Sequence, residues 1–381
     1  MKDFDQHASA WRDPSEVVSN WQAASDIDPG LLQHHVRGEW WESLGEAGVT
    51  LLVSRETEHL VIALSYRDER PSVSYLRLPH PSGIAVDRAQ ATAHIASTRN
   101  PNQIYTLRPT EWDGQPLVPV GARFLPGRLY LHDLGMIGAE LHGNAVGMNA
   151  VVRFADDQGF DPVWWPRSID AEGGPRLDRN FLQLNSIAAG ATTERSFFSA
   201  STERPSRRRP GHLDYPVDRR GVIFSGATRE PVVRGLTRPH SARLHDGRLW
   251  VDDSGYGSFG SCDDGALNVV AKLPGWTRGL TFVGRTAFVG TSHVIERFRR
   301  YAPGVDAART TCGVHAIDIE TGRTRGSITW PSGNQIFAID WMDSAATSGF
   351  PFATRRGRSA DTRAVFYDFQ IAMKTPPVVS K

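Results

Sequence analysis

The chain has 381 residues, and its 43 Lys and Arg nearly balance its 42 Asp and Glu, which leaves a formal net charge of +1. Because these charges balance, the chain as a whole has no electrostatic field that would attract nucleic acid or an anionic membrane, and we expect neither as a partner. The 36 Gly, 24 Pro and 11 Trp are typical of many short strands, tight turns and a large aromatic core. Only Cys262 and Cys312 are present, which excludes a disulfide framework and a cysteine-based zinc module.

The first 46 residues differ from the rest of the chain. Asp13-Pro14 and Asp28-Pro29 are helix-entry signals, so we expect a short helical extension over residues 1–46. The start, Met1 to His7, carries no apolar leader, and no run reaches the roughly 20 apolar residues that span a bilayer. These observations favour a cytoplasmic location.

From residue 47 onward the apolar pattern becomes that of strands divided by turns. A unit recurs in which a polar residue opens a strand of small apolar residues, followed by a turn and a second strand rich in β-branched and aromatic residues. Such self-similarity is typical of propellers. The sequence therefore predicts an all-β, six-bladed β-propeller over residues 47–381, with N-terminal strands completing the last blade and seven blades as the alternative. The six rows open at Ser82, Asn144, Asn185, His240, Arg278 and Asn334.

In a propeller the first strand of each blade lines the central channel, so residues near the row openings converge there. The residue two positions earlier shares the same strand face. We expect Arg238, Arg278, Asn144 and Asn185 to orient an anionic or carbonyl-bearing substrate in this channel.

Three histidines lie at or within two residues of the openings: His80, His142 and His240. Imidazoles from separate rigid strands suit a divalent transition metal such as Fe, Zn, Cu or Ni. The sequence therefore predicts a metal held by these three side chains, with the identity of the metal left open. The alternative is that they are polar residues hydrogen-bonded in a water-filled channel.

Residues 199–220 carry no strand period and are rich in Arg, Pro and Ser, which predicts a loop over one face. Arginines in and beside it are suited to bind a carboxylate or phosphate, although such a run is more often a solvated surface. These arginines are Arg204, Arg207, Arg208, Arg209, Arg219 and Arg220.

Several segments carry a resemblance to a bacterial family of conserved proteins of unknown function, which are predicted to be β-propellers. They are Val49–Glu56, Pro79–Gly83, Ala96–Asn102, Glu140–Ala145, Gln183–Ser186 and Arg238–Ala242. More distantly, Gly247–Gly257 is similar to a row of gluconolactonase-like and strictosidine-synthase-like propellers, where acidic and amide oxygens hold a metal. This chain has histidines instead, which departs from the lactonase pattern.

Two functions follow as hypotheses. The first is a metal-dependent enzyme, a lyase, hydrolase or oxygenase, that acts on a small molecule or a peptide side chain at the channel. The second is a non-catalytic propeller that binds a protein or peptide partner through the arginine-rich loop and the Trp164-Trp165 pair. The sequence does not indicate an oligomeric state.

Overall fold

The computed structural model describes residues 27–98, 102–111, 113–155, 159–208, 210–212 and 214–353. The chain forms six antiparallel sheets of four or five strands, together with one small two-stranded sheet. The innermost strand of each sheet contacts the innermost strand of the next, and the ring closes on itself. The protein is therefore a six-bladed β-propeller, which confirms the predicted fold and settles the choice against seven blades.

The elements follow the chain in this order. The N-terminal part has β1 (His35–Gly38), α1 (Trp40–Ala47), β2 (Val49–Arg55), β3 (Leu60–Arg67) and β4 (Arg70–Arg77). The next blade has β5 (Pro81–Asp87), β6 (Thr92–Ser97), β7 (Asn102–Pro109) and β8 (Leu117–Leu125). A further blade has β9 (Leu131–Ile137), β10 (Glu140–Ala145), β11 (Ala150–Phe154) and β12 (Phe160–Trp164).

The second half of the chain begins with the small sheet of β13 (Asp170–Ala171) and β14 (Gly174–Pro175). The fourth blade has β15 (Leu184–Ala188), β16 (Phe197–Ala200), β17 (Gly221–Ser225) and β18 (Pro231–Leu236). The fifth has β19 (Pro239–His245), β20 (Arg248–Asp253), β21 (Ser258–Asp263) and β22 (Ala266–Lys272). The last part has β23 (Trp276–Val283), β24 (Thr286–Ser292), β25 (Cys312–Asp318), β26 (Thr324–Trp330), β27 (Ala338–Asp343) and β28 (Phe352–Ala353).

The ring is closed by one blade built from both ends of the described chain. Its innermost strand, β27, pairs with β2 along its whole length, from Val49 opposite Asp343 to Ser54 opposite Ala338. The outer strands are β3, β4 and β28. This arrangement confirms that N-terminal strands complete the last blade, and it leaves no inner strand without a hydrogen-bonded neighbour.

The N-terminal extension is helical only in part. Helix α1 packs its fully buried Trp40 edge-on against Phe288, with ring centroids 5.8 Å apart, and ends at Gly48 in the left-handed conformation. The signal at Asp28 is confirmed as the cap of a short 3-10 helix, because its carboxylate accepts from Gly30 N at 2.9 Å. Within the range expected to be helical, β1 is instead a fifth strand on the outside of β26. The signal at Asp13 lies outside the described residues.

The structure also bears on the two cysteines and on the question of a membrane-spanning helix. Cys262 and Cys312 are both free thiols, and burial raises the pKa of each to about 12. No helix within the described ranges is both long and apolar enough to traverse a bilayer.

Four of the six predicted rows open on innermost strands, namely those at Ser82, Asn185, His240 and Arg278. The row at Asn144 is wrong, because Asn144 lies on β10, the second strand of its blade. The innermost strand of that blade is β9, which forms a hairpin with β10. The row at Asn334 begins too early, since it precedes β27.

Candidate functional site

The innermost strands start from a shared backbone turn. A non-glycine residue with positive φ lies at the start of four of them, and this is a conformation that such residues rarely adopt. These residues are His80 (φ 44°), Tyr130 (φ 51°), Gln183 (φ 52°) and Arg238 (φ 55°). The residues two positions later are therefore equivalent, and they belong to the same end of the channel, which we call the upper end.

Arg238 is buried at this upper end, where its side chain is held against the neighbouring blade. Its guanidinium donates to Gln183 Oε1 at 2.8 Å and to Ser201 Oγ at 3.2 Å, and it lies 4.5 Å from the ring centre of Tyr301. Burial lowers the pKa of Arg238 to about 10, and the Nε atom has no hydrogen-bond partner. The residue is thus a desolvated cation with one donor unused.

Arg278 is a second cation at the same end, on the strand adjacent to that of Arg238. It is partly exposed and lies over the Phe337 ring, 3.2 Å from its centre. Its pKa is lowered to about 10 by burial, while Arg238 lowers it further and Glu56 opposes the shift. With the Gln335 amide oriented by its hydrogen bonds, the amide oxygen accepts from Arg278 at 3.3 Å.

Neither guanidinium has a carboxylate at ion-pair distance in the part of the chain that the structure describes. A buried and a half-buried positive charge on neighbouring blades are unfavourable unless something negative approaches them, and Glu56 offsets only part of this effect at Arg278. This end of the channel is therefore complementary to an anion.

His240 lies on β19 and is buried, near enough to both cations for their charges to act on it. Burial, followed by the charges of Arg278 and Arg238, holds the pKa of His240 well below its usual range, so the ring is neutral at pH 7. The Ser254 hydroxyl donates its hydrogen to Thr277 O at 2.6 Å and therefore accepts from His240 Nδ1 at 2.9 Å. In this tautomer Nε2 carries the lone pair and can accept a proton.

His132 on β9 occupies the position equivalent to that of His240, two residues after a residue with positive φ. Its ring meets that of Tyr130 at 4.7 Å and that of Phe337 at 5.6 Å, and it is close enough to His240 to affect its pKa. The buried Asn185 completes the group, donating to Pro239 O at 2.8 Å and leaving its Oδ1 without a partner. We call Arg238, Arg278, His240, His132 and Asn185 the axial arginine site.

Below this site the channel is crossed by an ion pair. Asp133 on β9 accepts from Arg243 on β19 at 2.8 Å and 3.2 Å, in the two-pronged geometry that guanidinium and carboxylate groups favour. The same carboxylate accepts from Ile187 N at 2.9 Å, and Arg243 donates to the carbonyls of Ile187 and Ala242. These contacts connect the innermost strands β9, β15 and β19. The ion pair lies between the upper end and a 410 Å³ cavity at the lower end, which Arg243 lines.

The upper end is covered by two segments outside the strands. Tyr215, from the arginine-rich loop, packs with Trp276 and Tyr301 in one buried cluster. The loop is also held by Arg300, which donates to Gly211 O at 3.0 Å. The predicted placement of this loop over one face is confirmed for its described residues.

The three predicted metal ligands are not brought to equivalent positions. His80 precedes β5, which lies opposite β19 in the ring of six, and its ring contacts that of His59 at 4.2 Å. The placement of His142 on an innermost strand is wrong, since it lies on β10 with Nδ1 at 2.9 Å from Glu140 O. Within the described ranges, no group of three or more His, Cys, Asp or Glu side chains is arranged to hold a metal ion.

Of the four residues predicted to orient a substrate, three belong to the axial arginine site: Arg238, Arg278 and Asn185. Asn144 does not, because its side chain supports the backbone of the next blade. With its amide oriented by hydrogen bonds, its oxygen accepts from Ser186 N at 2.9 Å and from Asn185 N at 3.1 Å.

Sequence reasoning missed Tyr130, His132, Asp133 and Phe337. A signal for the first three was present, because Leu131–Ile137 is a short apolar run with a polar pair near its start, followed by the turn residue Gly138. Phe337 carried no such signal, since an apolar residue in an apolar run gives no indication that it faces a channel.

Several solved structures are similar to the chain at low sequence identity. A chain of a nidogen–laminin complex is 10% identical, with a TM-score of 0.54, and the match covers 78% of this chain and 99% of that one. A gluconolactonase of Xanthomonas campestris is 15% identical, with a TM-score of 0.45 over 74% and 86% of the two chains. The calcium-binding protein regucalcin of Agrobacterium tumefaciens is 11% identical, with a TM-score of 0.42 over 64% and 72%. At 10% identity the likeness to the nidogen–laminin chain shows the propeller fold alone.

The sequence comparisons agree with the resemblance noted from the segments. No curated protein is significantly similar to the chain. A family model described as a domain of unknown function, DUF4915, matches residues 38–349, which include the N-terminal helix and all six blades as far as β27. The chain therefore belongs to the DUF4915 family of β-propellers.

Proposed function

We propose that the axial arginine site binds a small molecule that carries a carboxylate or phosphate group, and that the chain is an enzyme acting on this molecule. The observation that carries the proposal is the pair Arg238 and Arg278, a buried and a half-buried cation on adjacent blades that have no carboxylate at ion-pair distance among the described residues. An anionic ligand group would relieve their repulsion through charge-assisted hydrogen bonds to the two guanidiniums.

In this proposal His240 is the proton acceptor. A neutral imidazole with a lone pair on Nε2, held in one orientation through Nδ1, is the form required of a general base. The neighbouring guanidiniums would stabilise negative charge that develops on the substrate when it loses a proton. Base-assisted elimination and base-assisted hydrolysis could both use His240 and the two arginines in these roles.

Metal dependence remains a prediction from the sequence, and the surroundings of His240 do not favour it. Two guanidinium groups act on His240 electrostatically and would repel a divalent cation bound there. Asp133 is already engaged by Arg243, so it does not supply the balancing charge.

The anion site is tested by binding. The full chain is titrated calorimetrically with a panel of small carboxylates and phosphate esters, beside the Arg278→Met and Arg248→Met variants. Arg248 is an exposed arginine outside the channel and serves as the control. We expect at least one ligand whose affinity falls by about tenfold or more in Arg278→Met, as expected for loss of one charge-assisted contact, and is unchanged in Arg248→Met. Equal affinity in both variants would remove the proposal.

The two sequence hypotheses are separated by two further measurements. Elemental analysis of protein purified without chelator is expected to show no stoichiometric transition metal, and one metal per chain would favour the metal-dependent enzyme. Once a ligand is found, His240→Asn is expected to retain its binding and lose its conversion. Full conversion in that variant would assign the base elsewhere.

A further inference from the structure

A second cavity lies under the arginine-rich loop, apart from the axial arginine site. Its volume is 830 Å³, within the range of small-molecule sites in proteins. Its walls come from three stretches of chain: residues 202–208, residues 214–222, and Arg234-Gly235 on β18. A concave cavity of this size suits a small molecule better than the flat surface of a macromolecule.

The lining of this cavity is strongly cationic. Six guanidinium groups line it against the two carboxylates of Glu203 and Asp214. They are those of Arg204, Arg207, Arg208, Arg219, Arg220 and Arg234. Since the whole chain has a formal charge of only +1, the excess here is a local concentration of charge.

The carboxylates leave several of these arginines unengaged. Glu203 pairs with Arg234 at 2.8 Å and with Arg204 at 3.3 Å, and Asp214 pairs with Arg208 at 3.2 Å. Arg207 and Arg220 have neither an ion pair nor a hydrogen bond to any residue that the structure describes. Two exposed guanidiniums are thus available to a ligand at no cost in broken contacts.

We infer that this cavity binds a small molecule with more than one phosphate group. Several guanidiniums around one concave volume match the several oxygens and charges of a polyphosphate, because each guanidinium can donate two parallel hydrogen bonds. A single carboxylate would leave most of this charge uncompensated. The inference does not rest on the function proposed for the axial arginine site.

The two sites share a wall. Tyr215 lines the arginine-rich cavity, packs with Trp276 and Tyr301, and lies near enough to Arg238 to influence its pKa. A ligand in the cavity therefore contacts the segment that covers the upper end of the channel.

The test uses inorganic tripolyphosphate as the probe, titrated calorimetrically into the full chain at low and at physiological salt. The double variant Arg207→Gln/Arg220→Gln removes two exposed arginines that have no ion pair or hydrogen bond to any described residue, so folding is expected to be unaffected. The control Arg70→Gln/Arg248→Gln removes the same charge from two other exposed arginines. We expect binding that weakens with salt and that falls by about tenfold or more in the first variant only.

The outcomes distinguish the two proposals. Binding that is equally weakened in both double variants, or absent in the unmodified chain at low salt, would overturn the polyphosphate site. Arg278→Met is expected to leave tripolyphosphate binding intact, and a loss in that variant would place the probe at the axis instead. Failure of the carboxylate titration at the axial arginine site would leave this result untouched.

Discussion

Arginines at two levels of the same channel have opposite surroundings. Burial opposes the charge of Arg243, but Asp133 outweighs this effect and raises its pKa. Both side chains also hydrogen-bond to the backbone of Ile187. Arg238 and Arg278, at the upper end, have their pKa lowered to about 10 by burial and lack such a partner. The comparison indicates that Arg243 stabilises the fold, whereas Arg238 and Arg278 are available to bind a ligand.

The largest effect is expected from breaking the lower pair. Asp133→Asn leaves Arg243 buried beside a neutral amide, and we expect a loss of about 3–5 kcal/mol in the free energy of unfolding, measured by urea denaturation. The double variant Asp133→Asn/Arg243→Met removes both charges and is expected to be more stable than the single variant. A loss below about 1 kcal/mol in the single variant would contradict the assigned role.

The next largest effect on stability is expected from the buried carboxylate of Asp253. Asp253 is buried at the end of β20, and burial raises its pKa to about 6 from 3.8. The folded state therefore binds more protons than the unfolded state between these values, so this group adds stability below pH 4 that is lost as the pH rises through 6.

The expected size is about 3 kcal/mol, from a difference of about two pKa units. Denaturation of the unmodified chain and of Asp253→Asn at pH 4 and pH 7 measures it. The unmodified chain should gain stability relative to the variant at the lower pH, and parallel pH curves would show that Asp253 does not titrate in this range.

The third change sharpens the contrast with Arg243. Arg278→Met removes a desolvated charge that has no carboxylate partner, but it also removes the contact with Phe337. These terms oppose each other, so the unfolding free energy is expected to change by less than about 1 kcal/mol. Destabilisation as large as that of Asp133→Asn would mean that Arg278 also serves the fold.

The smallest effect is expected from an ion pair at the surface. Arg325 contacts Glu46 at 2.6 Å and Glu39 at 3.2 Å, and both carboxylates are exposed. Glu46→Gln should cost less than about 0.5 kcal/mol in denaturant, because solvent screens an exposed pair. A loss comparable to that of Asp133→Asn would show that burial does not explain the difference between the two pairs.

The partial success of the row analysis has a physical explanation. Asn185, His240 and Arg278 each lie within the first three residues of an innermost strand, and the period of two identifies the channel face of that strand. At Asn144 the same pattern belongs to a second strand, since both strands of the β9–β10 hairpin are buried and carry polar residues. Local periodicity does not distinguish the two strands of such a hairpin.

The alternation of strands, turns and polar openings along the chain predicted the propeller and favoured six blades over seven. It also identified Arg238, Arg278, His240 and Asn185 near its axis, because strand period and turn residues are local properties of the backbone. Only the tertiary structure decided that β9 rather than β10 faces the channel and that Asp133 pairs with Arg243. It also decided that Arg238 and Arg278 lie near the starts of neighbouring innermost strands with no ion pair to a described carboxylate. Those contacts join residues from different blades, and their charges interact only after ring closure has removed the water between them.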